Sequence, residues 1–395
     1  MDPGEPDRRK VLRVAQEISL AKILASNDKR TRDRGVRKLG KWLAARARAG
    51  LRLSEDDLLR VWKGLFYCMW MADKPLVQEE LAEAISRLVH SGGDLDFAVS
   101  FTACCLRTMA REWAGIDHLR LDKFLMLVRR VVRQLLGACS REDWAPRSLE
   151  AVGAMLEATV LSRGGARSLS AHVCEVLLVE LAKASRGHLP EDSLLALLRP
   201  FAAFLGRAGD RFLRAHVVDH VFHHLIRQSE FGQDCEARFA AWRAAGFPGS
   251  SWEQMARVEV SDDEDEEEEG RDPGSDGEAE LDPRAGSVHV DLRPLPFSPE
   301  AVAKLLLDRR AATFKLCYRR SLKKLAGDFL LMSAGKYPLS LQGLQGVRRH
   351  IAQVRQGFKR ERRTAKETKR LMAFEEELRQ QTGGKRKSKK RKLKK

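Results

Sequence analysis

The stretch from Ser54 to His90, SEDDLLRVWKGLFYCMWMADKPLVQEELAEAISRLVH, constrains the fold more than any other part of the chain. Leu58, Val61, Trp62, Leu65, Phe66 and Met69 recur at steps of three and four, which draws one apolar stripe along a helix. Ser54 followed by Asp57 is the pattern of a helix start. Tyr67 and Trp70 widen the stripe, so burial on more than one side is expected. Asp73 and Pro75 suit the start of a second helix, because proline has no N–H to waste in a first turn. Val77, Leu81, Ala84, Ile85 and Leu88 give that helix its stripe. Two such helices cannot hide both stripes alone and need others stacked on each side.

The same periodicity runs on in both directions. Residues 1–10 read as disordered, and 11–245 read as one helical region. Pro146, Gly164–Gly165, Pro200 and Gly209 are read as its later breaks. No stretch alternates with period two between hairpin signals. The fold class is therefore all-α, an irregular HEAT- or armadillo-like α-solenoid. No strict internal repeat occurs, which leaves a compact helical bundle as the alternative. No apolar run approaches the ~20 residues that span a bilayer, and the start, MDPGEPDRRK, holds no apolar h-region. Seven cysteines without a paired framework point to a reduced compartment.

Net charge is +17, and its placement says more than its size. Residues 258–282 hold 14 acids against Arg271, while residues 348–395 hold 20 Lys and Arg against 5 Glu. Residues 246–297 read as a disordered acidic linker. Ser298–Pro299 restarts helix signals, and 298–332 reads as a detached helical segment. Residues 347–380 read as a long charged helix and 381–395 as a basic tail. Within the tail, Lys385, Arg386, Lys387, Lys389, Lys390, Arg391 and Lys392 offer sequence-independent attraction to phosphate, and the same composition serves as a nuclear and nucleolar address. Ser261 and Ser275 each precede acids and suit an acid-directed kinase.

A second basic cluster surrounds a narrow seam of Val36, Leu39, Trp42 and Leu43. It comprises Arg30, Arg32, Arg34, Arg37, Lys38 and Lys41. Charge alone favours a solvated helix face over a phosphate-contacting one. Enzymatic signatures are missing: there is no P-loop, Rossmann fingerprint or GxSxG elbow, and Ser321–Lys324 gives SxxK without its companion motifs. His216, His220, His223 and His224 stand at helical spacing, but no Cys or Glu partner is evident nearby. They read as a polar face, with no metal and no cofactor expected.

Three segments resemble the ribosomal RNA processing protein 1 family: WKGLFYCMWMADKPLVQEEL, NDKRTRDRGVRKLGKWL from Asn27 to Leu43, and REWAGIDHLRLDKFLMLVRR from Arg111 to Arg130. The similarity is specific over about residues 15–135 and looser to about 245. It implies a non-enzymatic nucleolar assembly factor, a scaffold on pre-60S particles that supports maturation of the large-subunit rRNA precursor. Implied partners are the pre-60S particle, precursor rRNA and other nucleolar large-subunit assembly factors, with no membrane and no small-molecule substrate. The resemblance also moves the Arg30–Lys41 cluster towards the phosphate-contacting reading. The rival function is a nuclear HEAT-like adaptor, in chromatin or transport, with a nuclear localisation tail.

Overall fold

The computed structural model describes residues 22–162, 165–207, 210–244, 292–308 and 316–339, and these contain helices and turns but no strand. Helix α1 is Lys29–Arg48, α2 Glu55–Trp70, α3 Pro75–Ser86, α4 Leu95–Glu112 and α5 His118–Ser140. Then come α6 Pro146–Thr159, α7 Arg167–Ser185 and α8 Glu191–Arg207. Helix α9, Arg211–Val217, passes through a π turn at Val218–Phe222 into α10, His223–Gln228, and α11 is Glu230–Ala244. After 291 follow α12, Pro299–Leu307, and α13, Leu316–Ser333. Local chemistry sets several starts. Ser54 and Asp57 close a full capping box on α2. Pro75, Pro146 and Pro299 open α3, α6 and α12.

The helices form two rows. Helices α2, α4, α6 and α8 pack in succession along one row, and α1, α3, α5, α7 and α9 along the other. Each helix therefore meets the helix two places on, which is the signature of stacked helix pairs. Cross-helix polar contacts carry the same period. Arg107–Glu55, Lys123–Ala72, Arg129–Glu180, Arg141–His90, Ser193–Trp144 and Arg207–Glu157 join residues 52, 51, 51, 51, 49 and 50 apart. The chain thus has a structural repeat of about fifty residues that no sequence repeat betrays. It is close to the ~40–47 residues of HEAT and armadillo units.

The core lies between the rows. Trp62 is fully buried, its Nε1 donates to the Phe101 carbonyl at 2.8 Å, and its ring lies 4.8 Å from that of Phe101. Phe66 stacks on Phe124 at 4.7 Å. Two expected core residues sit outside: Tyr67 is 41% exposed, and Trp70 is half-buried beneath the Arg120 guanidinium, 4.7 Å from its centroid. The buried face of α2 widens instead on the other flank, through Gly64 and Cys68.

Two expectations about the later chain are corrected. Pro200 lies inside α8 and does not end it. Gly153 of α6 faces it: a Cβ there would lie 3.1 Å from Pro200 Cγ, so the glycine makes room for the ring. The segment after 297 is not detached. Helices α12 and α13 pack on each other and on α8, extending that row. Leu295 is 2% exposed, and its N–H and C=O are both held by the Gln228 side chain, at 2.8 and 3.1 Å. Phe329 is fully buried against Phe222 and Phe297, at 6.5 and 6.1 Å. Val302 and Leu306 stripe α12, and Leu322, Leu325 and Phe329 stripe α13; the two stripes bury against each other and against α8. The linker expected over 246–297 ends earlier, since Leu295 and Phe297 already pack on the helices; residues 246–291, 347–380 and 381–395 lie outside the described residues.

Candidate nucleic-acid interface

Helix α1 begins at Asp28, whose carboxylate accepts from the Thr31 N–H at 2.8 Å and so satisfies an end donor. From there Arg32, Val36, Leu39 and Leu43 follow one another at steps of four, three and four and face inward. The opposite face holds Arg30, Arg34, Arg37, Lys38 and Lys41, all exposed. Their spacing repeats the inner stripe half a turn away. Among the described residues, Arg30, Arg34, Lys38 and Lys41 make no ion pair with a carboxylate. Lys29, by contrast, is neutralised by Asp33 and Glu80 at 2.8 and 3.1 Å. A row of unpaired cations on a rigid helix can meet successive phosphates without first breaking internal bonds.

Arg32 departs from the expected cluster. It is 4% exposed, and its Nη1 donates to the carbonyls of Ser26 and Asn27 at 2.8 and 2.9 Å. That guanidinium fastens the chain entering α1 and cannot reach a phosphate. Extending the 36–39–43 stripe back by one step would have found it. Trp42 moves the other way. Expected in the seam, it is 37% exposed at the edge of the basic face, with the Arg46 guanidinium 5.1 Å from its ring centroid. An aromatic ring beside unpaired cations is the arrangement that stacks on an unpaired base. The tail residues Lys385, Arg386, Lys387, Lys389, Lys390, Arg391 and Lys392 lie outside the described residues, as do Ser261 and Ser275.

Helix α5 also carries many basic residues, yet it builds no such face. Lys123 is 3% exposed and donates to the carbonyls of Trp70 and Ala72, both at 2.7 Å, closing the end of α2; burial lowers its ammonium to about 8. Arg130 is 6% exposed and bonded to Glu83 at 3.0 Å. Arg129 and Arg133 share the fully buried Glu180 of α7, at 2.5 and 2.6 Å. Burial pushes the thiols of Cys68, Cys139 and Cys174 up to about 12 and that of Cys104 up to about 11, which makes these four poor nucleophiles at neutral pH. His224 is half-buried and its surroundings hold it down to about 4, and His223 faces Asp328 of α13 at 3.3 Å.

Residues 15–282 match the family model described as nucleolar protein Nop52. A Drosophila melanogaster protein, ribosomal RNA processing protein 1 homolog, is 36% identical over 350 residues, covering 88% of this chain and 51% of its own length. The human ribosomal RNA processing protein 1 homolog A is 40% identical over 221 residues, 55% of this chain and 48% of its own. The mouse homolog B is 34% identical over 343 residues, 85% of this chain and 47% of its own. The chain spans about half the length of these relatives.

Proposed function

The chain belongs to the Nop52 family of nucleolar proteins, and from that premise we propose that it acts in ribosomal RNA processing as a non-enzymatic scaffold on the pre-60S particle. The observation that carries the RNA-contacting part is the exposed row Arg30, Arg34, Arg37, Lys38 and Lys41 on α1, with Trp42 beside it. The partners are precursor rRNA and other nucleolar large-subunit assembly factors. In this reading the helical rows decide which particle is joined, because a groove between packed helices has shape. The tail from Lys385 to Lys392 adds affinity and location, because dense charge without geometry attracts any phosphate backbone. The acidic stretch competes with RNA for the tail, and phosphate on Ser261 or Ser275 strengthens that competition.

Sucrose-gradient sedimentation of the tagged full chain from nuclear extract tests this directly. Co-migration with pre-60S particles, released by RNase, supports it. Sedimentation as a free protein indifferent to RNase would favour the nuclear adaptor instead.

A further inference from the structure

We propose that Glu175, His216 and His220 form a zinc site that staples α7 to α9 and the π turn. The sequence offers the two histidines but not their partner, because Glu175 comes from a different helix. The fold brings them together: His216 Nε2 lies 3.5 Å from Glu175 Oε1. One ligand atom from each of the three residues lies within 4.8 Å of the others.

Tetrahedral zinc holds its nitrogens and oxygens at about 2.0–2.2 Å, so its ligand atoms stand roughly 3.4 Å apart. No gap needs to close by more than about 1.4 Å. Side-chain exposures of 41, 25 and 36% for Glu175, His216 and His220 leave room for it. The two imidazoles stand next to each other on one face of the helix. Phe212, His216 and His220 form a column with centroids 4.4 and 5.3 Å apart, and the histidine rings lie within 29° of parallel. The column follows from helical spacing, since residues four apart lie on one face.

Neighbouring charge does not oppose a cation. Asp219 Oδ2 lies 3.7 Å from His220 Nε2, and the nearby Arg227 is engaged by Asp219 at 2.9 Å. Two neutral imidazoles and one carboxylate suit zinc among abundant divalent ions, whereas magnesium and calcium take oxygen ligands. Three protein ligands leave a fourth position open at the surface, for water or for a ligand from a bound partner.

The test uses the untagged full chain, stripped with chelator and titrated with Zn²⁺ by calorimetry, with Co²⁺ as a spectroscopic probe. One saturable equivalent is expected, with a tetrahedral Co²⁺ spectrum and a melting temperature that rises with zinc. Glu175→Gln, His216→Gln and His220→Gln should each weaken binding by more than the ~10- to 100-fold that loss of an outer partner costs, whereas His118→Gln should leave it intact. If a histidine variant lowers the zinc-free melting temperature, Glu175→Gln alone decides. Absence of saturable binding, or binding unchanged in Glu175→Gln, would overturn the site.

Discussion

Helices α1 and α5 look alike on paper and use their charge in opposite ways. Each carries an apolar stripe among arginines and lysines. On α1 the cations opposite the stripe stand in water, four of them without a carboxylate among the described residues. On α5 the cations are drawn into the interfaces with α2, α3 and α7, where Glu83, Glu180 and helix-end carbonyls neutralise them. The difference is position in the stack. Helix α5 has packed neighbours before and after it in its row, so cations flanking its stripe meet a partner helix. A buried cation must be matched, because an unmatched charge in low dielectric is costly. What leaves the cations opposite the α1 stripe in water is that no neighbouring helix among the described residues covers that face.

The contrast can be broken most forcefully at Glu180. Removing it leaves Arg129 and Arg133, one turn apart on α5, without the buried carboxylate they share, and Glu180→Ala should cost about 3–5 kcal/mol in urea unfolding. Burial by itself raises the Glu180 carboxyl, but the hydrogen bonds and charges of Arg133 and Arg129 outweigh it and leave it below its ordinary 4.5. The folded value lies below the unfolded one. This contribution is thus present above pH 4.5 and lost as pH falls through the folded value. Wild type should lose stability in that acid range more steeply than Glu180→Gln. Parallel pH profiles would mean that the cluster is not held by charge.

A middle-sized effect is expected at Trp42. If its ring stacks on a base, Trp42→Ala should weaken binding to single-stranded precursor RNA by about 1–3 kcal/mol, with only a small change in melting temperature. A drop in stability without a change in RNA affinity would return Trp42 to the core. Lys123 gives a subtler readout. Its folded value of about 8 lies below the ordinary 10.5, so between those values the unfolded chain binds more protons. Stability should rise with pH across that window, and Lys123→Met should flatten the rise. The smallest effect belongs to single surface cations: Arg34→Ala should change stability by less than about 0.5 kcal/mol. The same change should lower the salt slope of RNA binding by roughly 0.7 for each phosphate that Arg34 neutralises.

Much of this was legible in the sequence alone. Ser54 and Asp57 marked the capping box, the α2 stripe placed Trp62 inside, and the missing period-two pattern excluded sheets. The places of Arg32 and Trp42 on α1 follow from helical phase, which the sequence carries: Arg32 continues the 36–39–43 stripe, and Trp42 stands at its edge. The fates of Lys123, Arg130 and Glu180 were not legible, since each depends on a partner about fifty residues away. Helix and loop lengths vary enough within that period to hide it from self-comparison. The docking of α12 and α13 was illegible for a related reason: a stripe declares that it will be buried, not against what.

The central claim is that α1, and not α5, presents its cations to precursor rRNA. Ultraviolet crosslinking of purified pre-60S particles, with peptide-level mapping on this chain, tests it most directly. Peptides from residues 29–48 should carry crosslinked nucleotide at or beside Trp42, and peptides bearing Lys123, Arg129, Arg130 and Arg133 should carry none. Crosslinks on the α5 peptides with none on α1 would contradict the account.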